Sequence, residues 1–144
     1  MNREILTYPI ERNQIREEFY FFVEYFSKKG FQFCYVLVGS SWGNKYHITT
    51  NWDYEKVSFS ELLNKVNYLE DKEYGKLGSD DLFIKFDSLP IEFLFCNDSD
   101  IHIKFVETTE IVESFYERWK TFGYSPAEWQ HDESGKPINR TRMN

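Results

Sequence analysis

Apolar residues along this chain switch between two periods, and the switch limits the folds open to it. Ile15, Phe19, Phe22, Val23 and Phe26 recur at i, i+4, i+7, i+8 and i+11, the spacing of one buried stripe on a helix over residues 13–29. Asn13 can cap that helix, and Lys28, Lys29 and Gly30 form a cationic, glycine-ended stop. The run FQFCYVLV, Phe31 to Val38, follows at once and, being rich in β-branched and aromatic residues, reads as a central strand. Gly39–Gly43 interrupts it, and Lys45–Thr50 reads as a weaker strand completing a hairpin. Ser58-Phe59-Ser60-Glu61 has the spacing of a capping box that opens a second helix, with Leu62, Leu63, Val66 and Leu69 as its stripe. Three strands then follow quickly: Leu82–Phe86, Ile91–Cys96 and Ile101–Val106, the last two joined by the turn residues Asn97-Asp98-Ser99-Asp100. A third helix, from Thr109 to Phe122, carries Ile111, Val112, Phe115, Trp119 and Phe122 and stops at Gly123. Ser125-Pro126-Ala127-Glu128 then has the signature of a short helix start.

The order α-ββ-α-βββ-α predicts an α+β fold: a single antiparallel sheet of about five strands with three main helices packed on one face. The connections are too short for several parallel crossovers. A chain of 144 residues is one domain by size, and the apolar pattern places that domain at 1–129. Residues 130–144 offer only Ile138 and Met143 as apolar side chains, so the expectation there is a mobile tail. No run approaches the ~18 apolar residues of a membrane span, and Met1–Ile10 lacks the form of a signal peptide. Cys34 and Cys96 both sit in apolar runs, so the expectation is a cytoplasmic chain with reduced, largely buried thiols.

Charge narrows the function classes. Asp+Glu exceeds Lys+Arg by 24 to 17, a net charge of −7, which argues against direct nucleic-acid binding or attachment to anionic membranes. Gly39-Ser40-Ser41-Trp42-Gly43 matches G-x-S-x-G after a strand, but a nucleophile elbow needs a helix next, and Asn44–Asn51 reads as polar strand. His47, His102 and His131 have no ligand spacing; His102 reads as solvent-facing on a strand, and His131 falls in the tail. No catalytic residue, metal ligand or cofactor is therefore expected. Two features remain. Glu70–Asp81 carries five acids (Glu70, Asp71, Glu73, Asp80, Asp81) against two lysines, a concentration for which folding alone supplies no obvious reason. Trp42, Trp52, Tyr54 and Tyr74 fall in predicted loops, where aromatics beside carboxylates suit a protein-binding surface.

In these features the chain resembles the small cytosolic immunity proteins of bacterial polymorphic-toxin and contact-dependent inhibition systems. The residues behind the likeness are the Glu70–Asp81 loop, Asp98 and Asp100, the loop aromatics, and the segment Gly123-Tyr124-Ser125-Pro126-Ala127-Glu128-Trp129. The resemblance covers the general character of 1–129. It implies an acidic α+β domain that neutralises a cognate basic toxin, such as a nuclease, without catalysis. Two other readings use the same residues: a phage or mobile-element DNA mimic acting on a host nucleic-acid enzyme, and a small hydrolase or ligand-binding domain.

Overall fold

The computed structural model describes residues 2–131, 134 and 137–141. The elements run β1 (Arg3–Leu6), α1 (Arg12–Lys28), β2 (Phe33–Val38), α2 (Ser40–Tyr46), β3 (Glu55–Ser58), α3 (Phe59–Asp71), β4 (Leu82–Lys85), β5 (Ile91–Phe95), β6 (Ile101–Phe105), α4 (Glu110–Thr121), β7 (Ala127–His131) and β8 (Pro137–Thr141). The fold is α+β with a single antiparallel sheet, as the periodicity implies. Its strand order is β3-β2-β4-β5-β6-β1-β7-β8.

Side-chain alternation explains the layering. Val36, Ile84, Phe93, Ile103 and Ile5 are paired in one row across β2, β4, β5, β6 and β1, and all are buried. This face meets the stripes of α1, α3 and α4 in an aromatic core. Phe22 stacks edge-on against Phe93 at 4.7 Å between ring centres, Phe26 meets Phe86 at 4.7 Å, and Phe115 meets Phe93 at 5.0 Å. The excess of phenylalanine is thus used in helix–sheet packing. The neighbouring rows point the other way. One reads Leu37, Phe83, Leu94, His102, Leu6, Ala127, and the next reads Tyr35, Lys85, Glu92, Lys104, Glu4, Trp129. Much of this second face is only half-buried.

Several expectations are corrected. The sheet has eight strands and the chain four helices among the described residues. Residues 45–50, expected as a strand, are the end of α2 and the turn after it, and β2 pairs with Glu55–Ser58 instead. The first strand, Arg3–Leu6, is too short to show a period, yet it occupies the sheet interior between β6 and β7. The expected helix at Ser125–Glu128 is absent. Ser125 turns the chain at φ +50°, and Ala127–His131 pairs with β1, with Glu128 taking both ends of the Arg3 guanidinium at 2.9 and 2.7 Å. The region expected as a tail from residue 130 contains the end of β7 and the whole of β8, which are paired with each other. Backbone pairing needs no apolar side chains, so composition carries no sign of it. Residues 132–133, 135–136 and 142–144 of that expected tail lie outside the described residues. Among the described residues, no helix is long and apolar enough to cross a membrane.

The two thiols differ. Cys34 is fully buried, and burial pushes its pKa up to about 12, whereas Cys96 is partly exposed. Native-state alkylation is expected to modify Cys96 while leaving Cys34 untouched until unfolding. Equal rates at both would contradict this packing.

Candidate functional site

The segment that sequence reading placed in a hairpin is a seven-residue helix, and it organises the surface. Gly39 starts α2 with its N–H on the Asp81 carbonyl at 2.8 Å. A Cβ on Gly39 would lie 2.8 Å from Asp81 Cβ, and one on Gly43 would lie 2.6 Å from the Trp52 ring. The two glycines of the G-x-S-x-G match therefore serve close packing. Ser41 is exposed, and the nearest histidine in sequence, His47, is engaged elsewhere: its Nδ1 meets Thr50 Oγ1 at 2.7 Å and its ring lies 4.1 Å from that of Trp52. A helix does follow the strand, contrary to expectation, but it sits on an antiparallel sheet.

Trp42, expected at a binding surface, is fully buried. Its indole N–H donates to the Asp81 carbonyl at 2.6 Å, and its Cβ lies 2.5 Å from where a Cβ on Gly75 would stand. It locks α2 to the loop after α3. Behind α2, Lys65 donates to Tyr46 at 2.7 Å and to Glu55 at 2.9 Å, while Tyr46 donates to Glu55 at 2.6 Å. Burial alone would lower the Lys65 pKa, but the hydrogen bonds to Tyr46 and Glu55 outweigh it and raise the value.

The acidic loop divides in two. The Glu70 side chain is buried, bridged to Arg16, 3.5 Å from Arg12, and accepts the Leu77 N–H at 3.1 Å. Asp80 accepts the Lys76 N–H at 2.7 Å, and Asp81 accepts the Asn97 N–H at 2.7 Å. Folding does supply a reason for these three carboxylates: they close the loop and fasten it to the β5–β6 turn. Asp71 and Glu73 remain exposed. Tyr74 is half-buried against the core. Tyr54 lies on the other face of the sheet, with the Lys85 ammonium 4.2 Å from its ring centre.

Trp52 is the loop aromatic that stands out, 55% exposed. Helix α2 brings it and the acidic turn to one region: Gly43 abuts Trp52, and Lys45 donates to the Glu73 carbonyl at 3.2 Å. Trp52, Asp71 and Glu73 are thus the expected site residues that remain outward-facing in this region.

Sequence reading missed a second constellation. His102, expected in solvent, has Nδ1 2.8 Å from Glu4 Oε2 and Nε2 3.1 Å from Asp100 Oδ2, and Cys96 Sγ lies in the same group. Burial alone would lower the His102 pKa, yet Asp100, Cys96 and Glu4 acting together raise it to about 11. The spacing C-x3-D-x-H across the hairpin turn was legible in the sequence. The contribution of Glu4, nearly a hundred residues away, was not.

Compared with known proteins, the chain matches no family model, no curated protein and no solved structure.

Proposed function

We propose that this chain is a non-enzymatic, cytoplasmic protein-binding inhibitor of the immunity type, which docks a basic partner such as a toxin nuclease over helix α2. The observation that carries the reading is the Trp52 indole. It is seated on Gly43 and the His47 ring, so it is held in place while more than half exposed. A rigid aromatic presented to solvent costs little entropy to bury against a partner and suits an interface anchor. Asp71 and Glu73 are exposed in the turn whose Glu73 carbonyl accepts from Lys45 of α2, and they supply negative potential for steering a cationic surface. Duplex mimicry would need a row of free carboxylates, and Glu70, Asp80 and Asp81 are spent on the fold, which favours the docking reading.

The test begins with copurification of the full chain with basic proteins encoded beside its gene, followed by surface plasmon resonance at two salt concentrations. Trp52→Ala is expected to weaken binding by about 30-fold, the loss of roughly 2 kcal/mol typical of an anchor, with thermal stability little changed. Asp71→Asn with Glu73→Gln is expected to slow association and flatten its salt dependence. A partner whose affinity and on-rate ignore both variants would remove the α2 surface, and failure of any basic neighbour to bind would remove the immunity reading.

A further inference from the structure

The β5–β6 turn builds a compact set of unlike donor atoms. The Cys96 N–H donates to the Asp100 carbonyl at 2.9 Å and the Ser99 N–H to the Cys96 carbonyl at 3.1 Å, with Ser99 left-handed at φ +63°. This is a three-residue hairpin loop with its bulge residue, and it sets Cys96 directly across from Asp100. Because Phe95 and Ile101 face the core as a pair, Cys96, Asp100 and His102 all face the other way. Cys96 Sγ, one Asp100 oxygen and one His102 nitrogen lie within 4.8 Å of one another.

We propose that Cys96, Asp100 and His102 bind a single divalent ion of the zinc class, with Glu4 orienting the histidine. Three observations support this. First, a carboxylate on one ring nitrogen of a ligating histidine fixes the ring and directs the other nitrogen to the metal; Glu4 Oε2 is 2.8 Å from Nδ1, so Nε2 is the nitrogen left over. Second, two of the three donors lack proper partners, while the Cys96 thiol donates to Asn97 Oδ1 at 3.6 Å. Asp100 is 9% exposed, and its Oδ1 and the His102 Nε2 are sealed from solvent with no hydrogen-bond partner; Oδ2 is close to Nε2 but poorly aligned with it. An ion would satisfy both atoms at once. Third, the donor set selects the ion. Thiolate and imidazole suit zinc and its neighbours and disfavour magnesium and calcium.

The dimensions are compatible. Bonds of about 2.0–2.3 Å in a tetrahedral zinc site place ligand atoms about 3.3–3.8 Å apart, so the donors need close by only about 1 Å. Three protein ligands leave a fourth position, and His102 and Cys96 are both partly open to solvent. Binding exchanges the ring and thiol protons for the ion and releases them to water. The site does not depend on the docking reading: it uses none of the residues around α2.

The test titrates Co2+ into the full, reduced chain as a spectroscopic probe and then adds Zn2+. A thiolate charge-transfer band saturating at one Co2+ per chain is expected, with displacement by Zn2+, and Zn2+ is expected to protect Cys96 from alkylation. Cys96→Ser should abolish the band, and Glu4→Gln should keep it while weakening Zn2+ by about 10–100-fold. Melting curves without metal check that both variants fold, and Asp100→Asn is a third variant should Cys96→Ser not. The imidazole nitrogen resonances of His102 should shift on Zn2+ addition. No band, a band that survives Cys96→Ser, or unshifted His102 resonances at excess Zn2+ would overturn the site and leave a carboxylate-clamped histidine.

Discussion

Trp42→Ala is expected to destabilise the protein by about 3–5 kcal/mol, the cost of deleting a fully buried aromatic and leaving a cavity. The residue is inaccessible to solvent, and its indole N–H satisfies the Asp81 carbonyl. Its removal takes away one of the two donors to that carbonyl, the other being the Gly39 N–H at 2.8 Å, and loosens the hold of α2 on the loop after α3. Urea denaturation read at constant m would measure the loss. The outcome also separates two roles for the same residue: an interface tryptophan would change binding and leave the midpoint alone. A loss below about 1 kcal/mol would refute its interior position.

Arg118→Ala is expected to cost a similar 3–5 kcal/mol, through Glu18. That carboxylate is only 2% exposed, in the middle of α1. It is held by Arg118 Nε at 2.9 and 3.1 Å and by a second guanidinium nitrogen at 2.8 Å. The guanidinium carbon also lies over two rings, 3.9 Å from the centre of Phe21 and 4.6 Å from that of Phe122. Deleting the arginine strands a buried charge and uncovers both rings, the costly way to break a buried pair. Glu18→Gln combined with Arg118→Met removes both charges while keeping volume, and should recover much of the loss. If the single and double variants unfold at the same midpoint, the ion pair is not what fixes α4 onto α1.

The acidic loop shows how charge counting misleads. Five acids in 70–81 look like a concentrated negative patch, but Glu70 neutralises cations from the first turns of α1, and Asp80 and Asp81 cap backbone N–H groups. Carboxylates are good acceptors for free amides in a tight loop, so composition alone cannot separate steering charges from structural ones. Asp71 and Glu73 are the two of the five that stay exposed.

Long periodic segments were legible because each carries its own burial signal. The stripe Ile15 to Phe26, the run Phe31 to Val38, the alternation Ile101 to Phe105, and the helix holding Phe115 and Trp119 all appear where the pattern places them. Those segments determined the α+β class and the face of the sheet that the helices cover. The tertiary structure decided the rest. Strands β1 and β7 exist through hydrogen bonds to partners far along the chain, and β8 through its pairing with β7; Ser40–Tyr46 is a helix whose Trp42 finds a core beside Gly75 and Asp81. Both the candidate docking surface and the histidine cluster are assembled across such contacts: Trp52 with Glu73 through α2, and His102 with Glu4 through the β1–β6 pairing. Local sequence encodes which side chains are driven from water; it does not encode which distant backbone groups satisfy one another, and that pairing places the sites.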